Sequence, residues 1–312
     1  MRFSELAAVK DVVLFDGAMG SELERHGVEI ALPLWSAHGL LRAPHMVRNI
    51  HFWYLHAGAD VLTTNTFRTN PRALAHAGMA ERWEELTLRA VEFAFEARER
   101  YRVWRPVCVA GSIAPVEDCY APERVPGDAE LDDEHGRFAE TLMLAGVDLL
   151  LGETIGTVRE AAAVARACAA TGREYAISLL TRGADRLVSG EPVAEAVDAV
   201  LAVAAAPQCL LLNCAPAATM HEPLTVLRDA VRAHAAARAA APAQLPIGCS
   251  ANTGNPFDSA APGTDIPTYT DCANAWHALG ARVIGGCCGT TPEYIAALDA
   301  RFNPHEESET NA

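Results

Sequence analysis

The segment from residue 147 to 180, VDLLLGETIGTVREAAAVARACAATGREYAISLL, contains one complete strand–helix–strand unit of this chain. Continuous apolar runs lie at 149–151 and 175–180, and a helical stretch at 158–170 separates them and stops at Gly172. Continuous apolar runs, as opposed to alternating ones, are typical of parallel strands that are buried on both faces. The segment therefore predicts two parallel strands joined by a crossover helix.

The same alternation repeats along the whole chain. Eight apolar runs predict strands at 12–15, 61–64, 107–110, 149–151, 175–180, 209–212, 246–249 and 283–285. The longer stretches between and after them predict helices at 81–100, 132–145, 158–170, 192–205, 223–240, 269–279 and 292–302. Thr291-Pro292 is a helix start signal, and glycines at 58, 146, 172 and 280 are stop signals.

Eight strand-then-helix units over about 290 residues match a (β/α)₈ barrel, which typically takes about 250 residues. A doubly wound open sheet alternates strand and helix in the same way. The chain has no Gly-x-Gly-x-x-Gly after its first predicted strand, which favours the barrel. The prediction is an α/β fold, a single-domain (β/α)₈ TIM barrel over residues 1–302, followed by a disordered acidic tail at 303–312.

Composition excludes several classes of partner. The chain of 312 residues carries 25 basic and 40 acidic residues, and its net charge of −15 without a basic stripe disfavours nucleic acids and anionic membranes as partners. No stretch reaches the roughly 20 apolar residues of a membrane span, and no signal peptide is evident. Nine cysteines in such a chain predict a reducing, cytoplasmic location. The oligomeric state stays open, and an oligomer is compatible with the sequence.

Polar residues concentrate where the predicted strands end, which is where barrel enzymes place their active sites. Turns are polar in any protein, and this accounts for the asparagines and threonines. It accounts less well for Glu153, and not for Cys287-Cys288 between glycines. The strand-end residues are Asp16, Gly17, Thr64, Asn65, Thr66, Ser112, Glu153, Asn213, Cys214, Asn252, Cys287 and Cys288.

Cys214, Cys287 and Cys288 are candidate metal ligands. Neighbouring side chains of a regular strand point to opposite faces, but a glycine-rich turn lets adjacent cysteines reach one point. Three thiolates and one open position are typical of a catalytic zinc, since structural sites normally close with four ligands. A redox pair or plain packing are the alternatives for the Cys-Cys pair. Core positions are expected for Cys108, Cys168, Cys209 and Cys249, and no role is assigned to Cys119 or Cys272.

Several motifs resemble the homocysteine S-methyltransferase family, in the family's order over about residues 10 to 302. They are DGAMGSEL at 16–23, PLWS at 33–36, AGAD at 57–60, TNTF at 64–67, ETI at 153–155, SGEP at 189–192, NC at 213–214 and GGCCGTTP at 285–292. The last of these is the most specific. The resemblance implies a zinc-containing (β/α)₈ barrel that transfers a methyl group to the sulfur of homocysteine and produces methionine.

The resemblance also implies roles for individual residues. Cys214, Cys287 and Cys288 match the zinc ligands, which would make them the catalytic centre. Asp16, Gly17 and Glu153 match the positions that hold the amino-acid end of homocysteine, and Thr66 and Asn213 in the matched motifs are further candidate substrate contacts. A buried carboxylate facing an ammonium is physically sound, because each compensates the desolvation of the other.

Two segments depart from the family pattern. The family commonly continues Pro-Asn after the Glu153 motif, where this chain has Gly156-Thr157, and the family's Pro-Asn-Ala-Gly is here Ala251-Asn252-Thr253-Gly254. Both departures bear on the pocket around the thiol and the donor. A cationic donor such as S-methylmethionine or S-adenosylmethionine suits a short single-domain chain. Betaine, a folate, a corrinoid partner, or another small thiol as acceptor are alternatives. Trp35, Tyr54 and Tyr120 could cage such a cation, but packing roles are expected for them.

Two further classes compete with this interpretation. A barrel lyase or hydrolase could use Asp16 and Glu153 as an acid–base pair. A non-enzymatic protein could store zinc or sense redox state on an inactive barrel, which the intact Asp16 and Glu153 argue against.

Overall fold

The computed structural model describes residues 2–101, 105–237, 245–254 and 263–304. Eight parallel strands form one sheet in the order β1-β8-β7-β6-β5-β4-β3-β2, and a parallel bridge between Phe15 and Val61 joins its two edges. The predicted (β/α)₈ barrel is therefore confirmed. The strands are β1 Val13–Leu14, β2 Val61–Thr63, β3 Cys108–Ile113, β4 Leu149–Ile155, β5 Tyr175–Leu179, β6 Cys209–Pro216, β7 Ile247–Asn252 and β8 Ala281–Gly286.

Helices surround the sheet. Thr291 is the N-cap of the last helix with proline in its first turn, and Gly58, Gly146, Gly172 and Gly280 all have positive φ, as the start and stop signals predict. The helices within the described residues are α1 Phe3–Val9, α2 Gly20–Arg25, α3 His38–Arg42, α4 Pro44–His56, α5 Pro71–His76, α6 Trp83–Tyr101, α7 Asp128–Leu144, α8 Val158–Thr171, α9 Val193–Leu201, α10 His221–Ala237, α11 Ile266–Leu279 and α12 Pro292–Phe302.

Four strands end at least three residues further on than their apolar runs predict. β3, β4, β6 and β7 continue to Ile113, Ile155, Pro216 and Asn252, with irregular register near the ends of β4 and β6. Pairing continues there although the residues are polar, because backbone hydrogen bonds do not depend on side-chain hydropathy. Several polar side chains that the sequence placed after the strands therefore lie on the strands themselves, where the sheet fixes their direction.

The short helix α1 closes the N-terminal end of the barrel. Phe3 and Leu6 are fully buried and pack against the residues that fill the barrel interior, and the Phe3 ring meets the Phe15 ring edge-on at 6.2 Å. Ser4 Oγ donates a hydrogen bond to the Glu174 carboxylate, which ties the helix to the loop before β5. The apolar pattern gave no element here, because seven residues are too few to show a helical period.

The cysteines expected in the core are there. Cys108 and Cys209 lie in the barrel interior, while Cys168 and Cys249 lie between the strands and the helices, and all four are fully buried. Within the described parts of the chain, no helix has the length and apolar character that crossing a bilayer requires. Most of the predicted acidic tail, residues 305–312, lies outside the described residues, and the domain limits stay a prediction.

The buried side chain of His51 on α4 predicts that the folded protein loses stability at acidic pH. Its side chain is fully buried, and neither ring nitrogen has a hydrogen-bond partner among the described residues. Burial lowers the pKa of His51 to about 4. The unfolded chain, with a histidine pKa near 6.5, therefore binds a proton that the folded protein excludes, and stability falls by about 1.4 kcal/mol per unit as pH drops from 6.5 towards 4. We expect His51→Met to flatten this slope in denaturant unfolding at pH 5 to 7. An unchanged slope would show that His51 is protonated in the folded state.

Candidate active site

A cavity of about 260 Å³ opens at the C-terminal end of the barrel. The ends of β1, β2, β4, β5, β6 and β7 contribute to its wall, together with the loops after β1, β2 and β3, and the turn after β8 completes it. Every candidate residue from the sequence lines it except Thr66; these residues are Asp16, Gly17, Glu153, Asn213, Cys214, Cys287 and Cys288. The cavity thus brings together side chains that lie up to 272 positions apart in the chain.

Cys214 owes its position to an unusual backbone conformation at the end of β6. Its φ of 58° lies in the left-handed region, and the Asn252 side-chain amide donates a 2.7 Å hydrogen bond to the Cys214 carbonyl. Trp35 and Thr154 also have positive φ, and no other non-glycine residue that the structure describes does so. All three line the cavity. Such backbone is costly for a side-chain-bearing residue, so the surrounding structure must hold it.

Cys287 and Cys288 lie in the turn directly after β8. The Cys287 amide donates to the Ala251 carbonyl at 2.8 Å, and the Cys288 carbonyl accepts from the Thr253 amide at 3.0 Å. Gly289 has a φ of 83° and its amide donates to Ser21 Oγ at 2.9 Å. The turn is therefore hydrogen-bonded to the end of β7 on one side and to the first turn of α2 on the other. The glycine gives the freedom that lets both cysteines face the cavity.

The three thiols converge on one point. The sulfur atoms of Cys214, Cys287 and Cys288 all lie within 4.8 Å of one another, and those of Cys214 and Cys288 are 3.5 Å apart. Sulfurs held about 2.3 Å from a tetrahedral zinc ion would be about 3.8 Å apart. The spacing, and a ligand set made of sulfur alone, fit a soft divalent ion with one further position open.

The charges of the three thiols are interdependent. Thiol donors from Cys287 and Cys288 hold the pKa of Cys214 well below its ordinary value. The same contacts with Cys214 raise the pKa values of Cys287 and Cys288 well above theirs. Three thiolates at such short range repel one another, so they can ionise together only beside a cation. The cluster is thus electrostatically matched to a metal ion.

Two carboxylates, the buried Asp16 and the partly buried Glu153, share the cavity. Asp16 Oδ2 accepts a 2.8 Å hydrogen bond from the Thr63 amide, and burial raises the pKa of Asp16 to about 8, with a smaller contribution from the charge of Glu153. The Ser112 hydroxyl donates to Glu153, and burial raises the pKa of Glu153 to about 7. Neither carboxylate pairs with a basic side chain among the described residues. A ligand cation beside them would therefore stabilise their ionised forms.

Asn213 and Thr66 are engaged with the protein itself. The Asn213 amide oxygen accepts from the Thr154 amide at 2.9 Å and from Ser178 Oγ at 3.0 Å, and its nitrogen donates to Thr154 Oγ1 at 2.8 Å. It thereby connects the ends of β4, β5 and β6 beneath the cysteine cluster. Thr66 is fully buried behind the cavity wall and donates to the Ser112 carbonyl at 2.7 Å. Contact of either residue with the substrate stays a prediction.

Gly17 allows the β1 and β8 loops to meet. A Cβ atom on Gly17 would lie 2.7 Å from both Thr290 Oγ1 and the Tyr54 hydroxyl. Tyr54 is fully buried and donates to the carbonyls of Ala18 at 3.0 Å and Thr290 at 3.2 Å. Its packing role is thus clear, whereas Trp35 and Tyr120 line the cavity.

Sequence reasoning assigned no site role to four cavity residues on the loops after β2 and β3. They are Arg68, Asp118, Cys119 and Tyr120, and the Tyr120 hydroxyl lies 3.6 Å from Cys214 Sγ. Their position on loops that follow predicted strands was the available signal. It was weak because loops after strands are polar in every barrel.

Comparisons with known proteins agree with this geometry. The family model described as homocysteine S-methyltransferase matches residues 13–302. A homocysteine S-methyltransferase of Escherichia coli (strain K12) is 34% identical and a selenocysteine methyltransferase of Astragalus bisulcatus is 30% identical; these alignments cover 94% and 90% of this chain, and 96% and 90% of the relatives. The metallated crystal structure of the E. coli homocysteine methyltransferase MmuM superposes with a TM-score of 0.81 at 30% identity, over 95% of this chain and 98% of that one. The match over nearly the whole barrel shows that this chain belongs to the homocysteine S-methyltransferase family.

Proposed function

We propose that this protein transfers a methyl group from a small cationic donor to the thiol of homocysteine, producing methionine, with a zinc ion held by Cys214, Cys287 and Cys288. One observation carries the proposal. Three thiols within 4.8 Å of one another lie in the same cavity as two carboxylates, the buried Asp16 and the partly buried Glu153, that have no basic partner among the described residues, in a chain that belongs to this family. A thiol-binding centre and an ammonium-binding centre are the two features that a thiol amino acid requires.

Asp16 and Glu153 bind the amino-acid end of the acceptor. The ammonium group of homocysteine would compensate the buried negative charges, and it would lower the pKa values of both carboxylates from about 8 and about 7. Ser112 and the Thr63 amide fix the two carboxylates, so the acceptor has one orientation in the cavity. Gly17 lines the cavity beside Asp16, so its backbone is the part of this residue that would contact the acceptor.

When bound, zinc supplies the positive charge that keeps a substrate thiol ionised at neutral pH. The protein aligns the acceptor sulfur with the methyl carbon of the donor. In the transfer, the acceptor sulfur forms a bond to that carbon, the bond between the methyl group and the donor breaks, and its electron pair stays on the donor. A sulfonium donor departs neutral, so no general acid is needed. The acceptor proton leaves to solvent.

The donor is proposed to be a sulfonium, S-methylmethionine or S-adenosylmethionine, with betaine, a folate and a corrinoid partner as alternatives. A lyase or hydrolase based on Asp16 and Glu153 remains the competing class, because both carboxylates line the cavity. The two classes differ in their need for thiols: only the methyltransferase requires the cysteine cluster. The proposed location is the cytoplasm, where the cysteines stay reduced.

The proposal is tested by metal analysis together with a methionine-formation assay over a panel of donors. We expect one zinc ion per chain, and methionine formation from homocysteine with S-methylmethionine or S-adenosylmethionine. The panel includes betaine and methyltetrahydrofolate as donors, and cysteine and selenocysteine as acceptors. Protein that has intact thiols but binds no zinc and methylates no acceptor would refute the proposal.

A further inference from the structure

Arg68 is a buried charge whose hydrogen-bonding capacity is mostly unused. It follows the β2 strand end, is 5% exposed and lines the cavity. Its Nη1 donates to the Glu117 carbonyl at 2.9 Å, whereas the buried Nε has no hydrogen-bond partner among the described residues, and Nη2 is 3.9 Å from Asp118 Oδ1. A guanidinium carries five N–H donors, and burying them unpaired is costly. The position therefore suits a ligand that brings acceptor oxygens.

The two carboxylates near Arg68 accept no hydrogen bond from its guanidinium. The Glu117 carboxylate lies 3.5 Å from Arg72 and 3.3 Å from Arg124, so it faces other cations. Asp118 Oδ1 is 3.9 Å from Arg68 Nη2, beyond hydrogen-bond length, and accepts from the Tyr120 amide at 3.0 Å. Asp118 also lines the cavity. One part of the wall thus presents a cation and an anion that are close to each other but not hydrogen-bonded together.

Arg68 and Asp118 are linked to the cysteine cluster through one residue, Tyr120. The Tyr120 amide is bonded to Asp118, and the hydroxyl at the other end of the same residue lies 3.6 Å from Cys214 Sγ. A molecule whose reacting atom faces the cluster could therefore extend along Tyr120 and place its far end against Arg68 and Asp118. The acceptor has its own partners in Asp16 and Glu153, at the ends of β1 and β4.

We propose that Arg68 and Asp118 form the subsite for the amino-acid end of the methyl donor, with Arg68 binding its carboxylate and Asp118 its ammonium group. The inference rests on the proposed function and narrows it to sulfonium donors that carry a free amino acid. Betaine has a carboxylate but no ammonium hydrogen to donate, so it would satisfy only half of the subsite. A guanidinium and a carboxylate form strong, directional hydrogen bonds.

The test compares two donors in the zinc-loaded enzyme: S-methylmethionine, and trimethylsulfonium, which lacks an amino-acid end. We expect Arg68→Met to raise the KM for S-methylmethionine about 10- to 100-fold, as loss of charge-assisted hydrogen bonds does. The KM for homocysteine and the rate with trimethylsulfonium should stay the same. Asp118→Asn, on a half-buried loop position, should also raise the S-methylmethionine KM about 10-fold. Arg82→Met, which removes an exposed charge, is the control.

Three results would overturn the inference. An increase in the homocysteine KM with the S-methylmethionine KM unchanged would assign Arg68 to the acceptor. An equal loss with both donors would show that Arg68 only positions the loops. S-methylmethionine binding to zinc-loaded protein that is equally tight in wild type and Arg68→Met, measured by titration calorimetry, would also overturn it. A wild-type enzyme that transfers no methyl group from any donor would refute the proposed function instead, and the calorimetric comparison would still decide the subsite.

Discussion

Replacing Cys287 with alanine is expected to remove zinc from the protein and to lower methionine formation by about a thousandfold or more, which corresponds to about 4 kcal/mol of transition-state stabilisation. Cys287 is held by the Ala251 carbonyl and lies with Cys214 and Cys288 inside one 4.8 Å cluster, so two sulfurs remain where three are needed. Replacing a metal ligand should lower activity more than replacing a residue that only contacts a ligand, for which losses of about 10- to 100-fold are typical. Metal content and turnover should fall together.

Cys272→Ser provides the matched control for this prediction. Cys272 is a partly buried cysteine on α11 outside the cluster, so its replacement tests the loss of a thiol without the loss of a ligand. We expect wild-type zinc content and activity. If Cys287→Ala loses zinc but keeps its catalytic activity, the reaction does not depend on the cysteine cluster. That result would favour the lyase or hydrolase interpretation.

Asp16→Asn is expected to act in opposite directions on substrate binding and on stability. The asparagine oxygen can still accept from the Thr63 amide, so the local structure is kept. The homocysteine KM should nevertheless rise about 100-fold, because the buried ammonium loses its charged partner at a cost of about 2–5 kcal/mol. In the absence of substrate, the variant should be more stable than wild type, since it no longer buries a carboxylate.

The pH dependence of stability shows why Asp16→Asn should stabilise the substrate-free protein. Burial raises the pKa of Asp16 from the ordinary 3.8 to about 8. Between these values the folded protein holds a proton that the unfolded chain has released, so stability falls as pH rises from about 4 to about 8. Asp16→Asn should remove this slope and raise the unfolding temperature at pH 7.5 by at least about 2 °C. On the activity side, kcat/KM of the wild type should fall as pH drops below about 8, because protonated Asp16 does not pair with the ammonium.

Thermal unfolding of substrate-free protein at several pH values, together with the homocysteine KM, checks both parts. Asp133→Asn, which neutralises an exposed carboxylate on α7, should change neither quantity. A variant that binds homocysteine as tightly as wild type would remove Asp16 from the acceptor site. A variant with lower stability at pH 7.5 would show that the Asp16 carboxylate is ionised and satisfied in the folded protein.

Local sequence predicted most of the strand and helix order. Buried parallel strands need continuous apolar runs, and each of the eight runs corresponds to a strand. The strand ends were less predictable. β4 and β6 continue through Glu153 and Cys214 because hydrogen bonds between backbones extend the sheet past the last apolar residue. The helices α1 to α5 were not predicted. In α1 the two buried residues, Phe3 and Leu6, have no neighbours in sequence that reveal a helical period.

The sequence by itself determined the barrel, the family and the identity of three thiols and two carboxylates, because these depend on residue type and spacing. Only the tertiary structure decided which polar side chains face the cavity. Thr66 lies behind the cavity wall, and the Asn213 side chain is hydrogen-bonded to Thr154 and Ser178. Arg68 lies beside Asp118 without a hydrogen bond between their side chains. The physical reason is that the backbone direction and the hydrogen-bond partners at a strand end decide whether its side chain faces the cavity or bonds to other protein groups. Neighbouring strands supply both, and these strands lie far away in sequence.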